Sequence, residues 1–228
     1  MILPEFNRNK IESLGPNKHF FKGIIKRFTL PKKHKVFVIS YGKTGTTSLC
    51  HALQELGYRV AGSYSHKITN PNFSNLWHHG KDCLNTYDAF QDMPWCLFYK
   101  ELYEKYPNGK FIFLTRDSDK WYESLTKHKS DKRSLRNETF FNTDDIHKNP
   151  QTVINAYKMH NENVRTFFKG KINYPLFISV KDLNWEILCS FLDLRQVYKG
   201  RIPYSNKASV RKTFSYRLKS WILTKWKK

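Results

Sequence analysis

No stretch of this chain stays apolar for the length a membrane-spanning helix requires, and none of its four cysteines shares a Cys-x-x-Cys spacing. The first lack argues against a helical span. The second leaves Cys50, Cys83, Cys96 and Cys189 scattered; Cys50 and Cys189 sit in helical apolar patterns and read as small buried hydrophobes, which favours a reducing compartment. The opening Met-Ile-Leu-Pro-Glu-Phe-Asn-Arg lacks the apolar core of a secretory leader, so a cytoplasmic location is the expectation. The acceptor-like triplets Asn72-Phe73-Ser74 and Asn137-Glu138-Thr139 are then chance matches. Acid is scarce at both ends. Residues 1–36 hold nine Lys/Arg against two acids, and residues 194–228 hold eleven against none, whereas residues 37–193 hold twenty against seventeen. The net charge of +21 therefore belongs mainly to the ends. Such ends suit an anionic partner, or simple solvation.

What is present is a globular chain of 228 residues, 39% hydrophobic and 16% aromatic, organised around residues 35–56. Val36–Ser40 is an apolar, β-branched run that predicts a buried parallel strand. Gly42 and Gly45 break it into a tight loop, and from Thr46 the apolar spacing turns helical, with Leu49, Ala52, Leu53 and Leu56 on one face and Gly57 as the stop. Strand, glycine loop and helix start hold a tetrahedral anion by backbone amides and the helix dipole. Lys43 adds a cation, and Thr44, Thr46, Thr47 and Ser48 add hydroxyl donors. A nucleoside-triphosphate loop would place its first glycine at Phe37 and its Lys after the second glycine, and here neither holds.

Beyond the loop the chain alternates strands and helices. Strands are expected at Tyr58–Val60, Asn85–Gln91, Phe111–Thr115 and Leu176–Val180, the last two buried. Helices are expected at Trp95–Tyr106, from an N-cap at Ser118 to about His128, at Gln151–Lys169 and at Trp185–Leu192. Residues 61–84 form a long excursion with a short helix near Phe73–His78, and residues 129–149 an exposed loop or lid. The expected organisation is a basic lead-in over 1–34 with a short helix at Phe20–Phe28, an α/β domain over 35–207, and a basic amphipathic helix over 208–228. The fold class is α/β, a doubly wound, mainly parallel sheet of about five strands flanked by helices. Ligands of such sheets bind outside the carboxyl ends of the strands, where Lys43–Ser48, Asp92 and Arg116 fall.

Lys43-Thr44-Gly45-Thr46-Thr47 after a strand resembles the 5′-phosphosulfate loop of sulfotransferases that use 3′-phosphoadenosine-5′-phosphosulfate (PAPS). Arg116-Asp117-Ser118-Asp119-Lys120-Trp121-Tyr122-Glu123-Ser124 resembles their 3′-phosphate segment, an Arg at a strand end with a Ser eight residues on. Tyr87–Pro94, Glu101-Leu102, Tyr106-Pro107 and Asn184–Leu192 with Pro203 and Asn206 resemble one branch of that superfamily, so the likeness runs over about 35–207. The resemblance implies sulfuryl transfer from PAPS to a hydroxyl or amine of a sugar, lipid or small metabolite, without a metal. It implies that Lys43, Thr44, Gly45, Thr46, Thr47, Ser48, Arg116 and Ser124 bind the donor.

Sulfuryl transfer works by positioning and electrostatics, as phosphoryl transfer does. Lys43 is the candidate for stabilising the bridging oxygen, and Asp92 the candidate base, with His66, His78 and His79 behind it. Blander readings stand beside each. Asp92 could cap the next helix, Arg116 could pair with Asp117 or Asp119, Ser124 could be a surface hydroxyl, and Trp185 could be core rather than an adenine platform. The segments 61–84 and 129–149 are where acceptor specificity is expected. The acceptor side admits a small molecule, glycan or lipid. The basic C-terminus would meet an anionic membrane surface or dock on the domain, making the protein cytoplasmic or peripheral to a membrane, and nucleic acid is disfavoured.

Overall fold

A computed structural model describes residues 17–65, 68, 71–127 and 134–204. Its centre is an all-parallel sheet of β1 (Val36–Val38), β2 (Val60–Ala61), β3 (Ala89–Phe90), β4 (Lys110–Thr115) and β5 (Leu176–Ser179), ordered β2-β3-β1-β4-β5. Around it run α1 (Lys18–Gly23), α2 (Lys26–Thr29), α3 (Thr46–Glu55), α4 (Phe73–Lys81), α5 (Tyr99–Lys105), α6 (Ser118–Thr126), α7 (Leu135–Phe141), α8 (Pro150–Phe168) and α9 (Trp185–Phe191). The doubly wound architecture is the one expected. Strand order reverses at β1, so β1 and its neighbours β3 and β4 send their carboxyl ends to one crevice.

Alternation sorts the strand side chains into two buried layers. Val36, Val38, Ala89, Ile112 and Leu114 join Leu49, Leu53, Leu56, Leu188 and Leu192 on one face. Phe37, Ile39, Phe90, Phe111 and Phe113 join Trp121, Tyr157, Val164 and Phe168 on the other. Both faces are covered, which is why the strands read as continuous apolar runs rather than alternating ones. Phe37 stacks on Phe90 at 5.4 Å between ring centroids and meets Phe111 at 5.2 Å, an aromatic row across three strands.

Local rules explain most element ends. Gly57, at φ 86°, carries the chain out of α3 in the left-handed conformation a terminator needs. Asn184 caps α9 by accepting from Ile187 N, and Asn72 caps α4 by accepting from Asn75 N.

Several expectations are corrected. The helix over Trp95–Tyr106 is a 3-10 turn at Trp95–Leu97 followed by α5, because Trp95, Cys96 and Phe98 are all buried and leave no single apolar face. The strand at Asn85–Gln91 shrinks to Ala89–Phe90, since Asp82–Asn85 coils into a 3-10 turn and the amides of Thr86 and Tyr87 both turn back to Cys83 O. Asp117, not Ser118, caps α6, accepting from Lys120 N. β5 is an edge strand and only half-buried.

Residues 134–149 are no exposed lid. Asn137, Phe140, Phe141 and Ile146 are buried, Asn137 Nδ2 donates to Asp144 O, and Asn142 at φ 57° ends α7. Within the basic lead-in, α1 and α2 replace one helix, and α1 packs on α3. The amphipathic helix of 208–228, His66, residues 128–133 and the first sixteen residues lie outside the described residues.

Candidate functional site

The site begins where β1 ends. The loop 40–46 turns back on itself through Lys43 at φ 73° and Gly45 at φ 114°. A Cβ on Gly45 would lie 2.6 Å from Val180 Cβ, beyond the end of β5, so both conformation and space demand glycine there. Ser48 N and Leu49 N bond to Gly45 O, which starts α3 under the loop. The first-turn amides and the α3 dipole make this edge electropositive.

The hydroxyls of this loop do not behave alike. Thr44 is buried, and its Oγ1 donates to Tyr41 O at 2.8 Å. The expectation that this hydroxyl faces an anion is therefore corrected: it braces the loop from inside. Thr46 Oγ1 donates to Asp92 Oδ1 at 3.0 Å, Ser48 is buried, and Thr47 is half-exposed.

Asp92 comes from the end of β3. It is a non-glycine residue at φ 63°, a conformation that costs energy and marks a constrained position. It does not cap the next turn, which has no side-chain cap, because its carboxylate faces Thr46 and the loop. A Cβ at Gly42 would lie 2.9 Å from Asp92 Oδ1, so the glycine admits the carboxylate. Burial raises the pKa of Asp92, against the opposing pull of the Thr46 hydrogen bond and the Lys43 ammonium. A carboxylate so placed is more basic than one in water.

Arg116 comes from the end of β4, and its guanidinium donates to Lys43 O at 2.5 Å. The glycine loop and the arginine segment thus touch. Asp117 spends its carboxylate on the α6 cap rather than on Arg116. Ser124 lies two turns into α6, half-buried.

Sequence reasoning missed the residues that hold this arrangement. Trp121 Nε1 donates to Gly42 O at 2.9 Å, and its ring stacks on Tyr157 at 4.1 Å with 10° between planes. Tyr157 OH donates to Arg116 O at 2.9 Å. His160 Nε2 lies 2.8 Å from Ile39 O, so that nitrogen carries the proton, and burial lowers its pKa to about 4. α6 and α8 therefore grip the loop, the arginine segment and the end of β1 from the aromatic face. The signal available was Trp121, midway between Arg116 and Ser124 in a segment singled out for its ends.

Beside Lys43 and Asp92 opens a cavity of about 210 Å³. Met93, Trp121, Leu125, Phe140 and Phe141 wall it, Ser63 and Ser65 edge it, and Arg136 of α7 adds a cation. Both segments expected to govern acceptor choice supply lining. Trp185 is buried against Tyr198 at 4.6 Å in the aliphatic layer. Among the described residues no cluster of three or more His, Cys, Asp or Glu could hold a metal, and no helix is long and apolar enough to cross a membrane.

Residues 35–146 match the family model described as the sulfotransferase domain. A curated relative, Ava biosynthesis cluster protein M of Aspergillus versicolor, is 32% identical over 40% of this chain. The match covers 41% of that relative's own length. The matched segment starts one residue before β1 and takes in the glycine loop, Asp92, Arg116, Ser124 and α7. Residues 35–146 of this chain are a sulfotransferase-family domain.

Proposed function

We propose that the protein transfers a sulfuryl group from PAPS to a hydroxyl, or amine, of a lipid, sugar or small-metabolite acceptor. The observation that carries this is the Arg116–Lys43 contact. It sets two anion-binding segments, from the ends of β4 and β1, side by side, as one donor bearing phosphates at both ends of its adenosine requires. The donor set fits: first-turn amides of α3, the half-exposed Thr47, the Lys43 side chain, the Arg116 fork and Ser124 are all suited to phosphate oxygens. When bound, PAPS supplies an activated sulfuryl group on a phosphate leaving group.

The chain's own residues do the rest. Lys43 and the loop amides neutralise negative charge that builds on the 5′ side. Arg116 and Ser124 hold the 3′ side and so fix the donor's orientation. Asp92, fixed by Thr46 and made more basic by burial, takes the acceptor's proton at a carboxylate oxygen. The aromatic cavity wall excludes water and favours an acceptor with an apolar body.

Thermal shift of the full chain tests the donor. 3′-Phosphoadenosine 5′-phosphate stabilises it and ATP with magnesium does not; the reverse pattern would replace sulfuryl by phosphoryl transfer. Labelled PAPS against extracted lipids, glycans and metabolites then finds the acceptor. Asp92→Asn lowers turnover on it by at least about a hundredfold while keeping the nucleotide-induced shift; unchanged turnover removes Asp92 as the base.

A further inference from the structure

α1 and α2 present a surface that the transfer chemistry does not use. Their inner side is fixed on the far end of α3. Asn17 caps α1 and donates from Nδ2 to Gln54 Oε1 at 3.0 Å, and His19 Nδ1 lies 2.5 Å from Glu55 Oε1. A Cβ on Gly23 would come 1.7 Å from Gln54 O, and one on Gly57 2.6 Å from Arg27 N, so the helices sit backbone to backbone. The outer side is consequently held out to solvent. It carries Phe21 at 60% exposure, Ile24 at 41%, Ile25 at 69% and Phe28 at 88%, four large apolar side chains within eight residues. Elsewhere among the described residues such side chains are scattered.

Their own segment is cationic, with Lys22 Nζ lying 3.4 Å from Glu55 Oε1. Residues 17–34 contain six Lys/Arg and no Asp or Glu. Lys18, Lys22 and Lys33 are exposed, and the Arg27 guanidinium lies 4.3 Å over the Phe20 ring. Exposed apolar patches mark interaction surfaces. The interleaved lysines choose among partners: protein interface cores are depleted in Lys, whereas segments that lie in a bilayer interface combine an apolar face with Lys/Arg for anionic headgroups. We propose that α1–α2 docks on an anionic phospholipid bilayer, with Phe21, Ile24, Ile25 and Phe28 in the interfacial zone and the lysines at the headgroups. α3 separates this surface from the glycine loop by its ten residues, roughly 15 Å of helix, so docking leaves the cleft uncovered.

Co-sedimentation of the full chain with phosphatidylcholine vesicles, with and without phosphatidylserine, tests this. The parent chain pellets with the phosphatidylserine vesicles and is released by salt. The double variant Ile25→Asp/Phe28→Asp keeps the parent's melting temperature and loses at least about tenfold in vesicle affinity. Equal binding by parent and variant overturns the proposal and moves attachment elsewhere, to the basic C-terminal segment first. Failure of the parent to prefer phosphatidylserine overturns it too, as does a parent dimer that the double variant makes monomeric, which would assign the patch to a second copy. Should the double variant not fold, Phe28→Cys carrying a nitroxide serves, since the four native cysteines are buried. Rising oxygen collision rates on adding phosphatidylserine vesicles support docking, and unchanged rates refute it.

Discussion

On one face of the sheet Val36, Val38, Ile112 and Leu114 meet Leu49 and Leu53 of α3 and Leu188 of α9; on the other, Phe37, Phe111 and Phe113 meet Trp121, Tyr157 and Phe168. Both layers bury the strands' side chains but do different work. The aliphatic side chains just named carry no polar atoms and contribute by burial alone. The aromatic layer has polar tips: Trp121 bonds to Gly42, Tyr157 to Arg116 and His160 to Ile39. An aromatic ring gives apolar area and one directed hydrogen bond in the same side chain. The site edge is accordingly held from the aromatic face, while the aliphatic face carries α3, whose first turn follows the glycine loop.

The comparison can be broken or sharpened by four measurements. Lys43→Ala touches neither layer; it cuts transfer by at least about a thousandfold in a labelled-PAPS assay while the melting temperature stays near the parent's. Leu53→Ala, in the aliphatic layer at 0% exposure, costs about 3 kcal/mol in urea unfolding, with turnover of the folded fraction within about twofold. A large loss of turnover there would abolish the division of labour.

His160 adds a pH test on the aromatic side. Its folded pKa is about 4 and its unfolded value 6.5. The unfolded chain therefore takes up a proton that the folded one refuses. Above pH 6.5 there is no penalty; as pH falls from 6.5 to 4 stability drops by about 1.4 kcal/mol per unit, on the order of 3 kcal/mol in all. His51, lowered to about 4 mainly by burial and by His19, adds less because it is half-exposed. Urea midpoints across this range should flatten in His160→Gln, which keeps a donor for Ile39 O; an unchanged slope would show that His160 is not the group titrating.

Trp121→Phe gives a smaller stability effect than Leu53→Ala or the titration of His160, and the most direct one. It keeps most of the packing and deletes the N–H to Gly42 O, costing about 1 kcal/mol in stability. The loop's grip on the donor weakens about tenfold in the nucleotide-induced shift, beyond what the stability loss alone would give. A parent-like shift would mean that the loop holds its own shape.

The order of strands and helices was legible because each buried strand and amphipathic helix advertises itself by period, as at Phe111–Thr115 and Gln151–Lys169. Legibility failed where burial is not one-sided. Trp95–Phe98 is enclosed from several directions, so no helical face appears. Residues 134–149 mix charge with six buried residues, and the charge masks the burial pattern. In the site, Asp92 and Arg116 were visible at strand ends, while Thr44's inward turn, Thr46's bond to Asp92 and the grip of Trp121 and Tyr157 were not.

By itself the sequence determined the parallel α/β class and the place of the glycine loop, since both follow from local periods and from glycines between a strand and a helix. Only the tertiary structure decided which hydroxyls face outward, which aromatics hold the loop and that Arg116 reaches Lys43. Those depend on how residues tens of positions apart meet across the sheet, a distance at which no local pattern carries information.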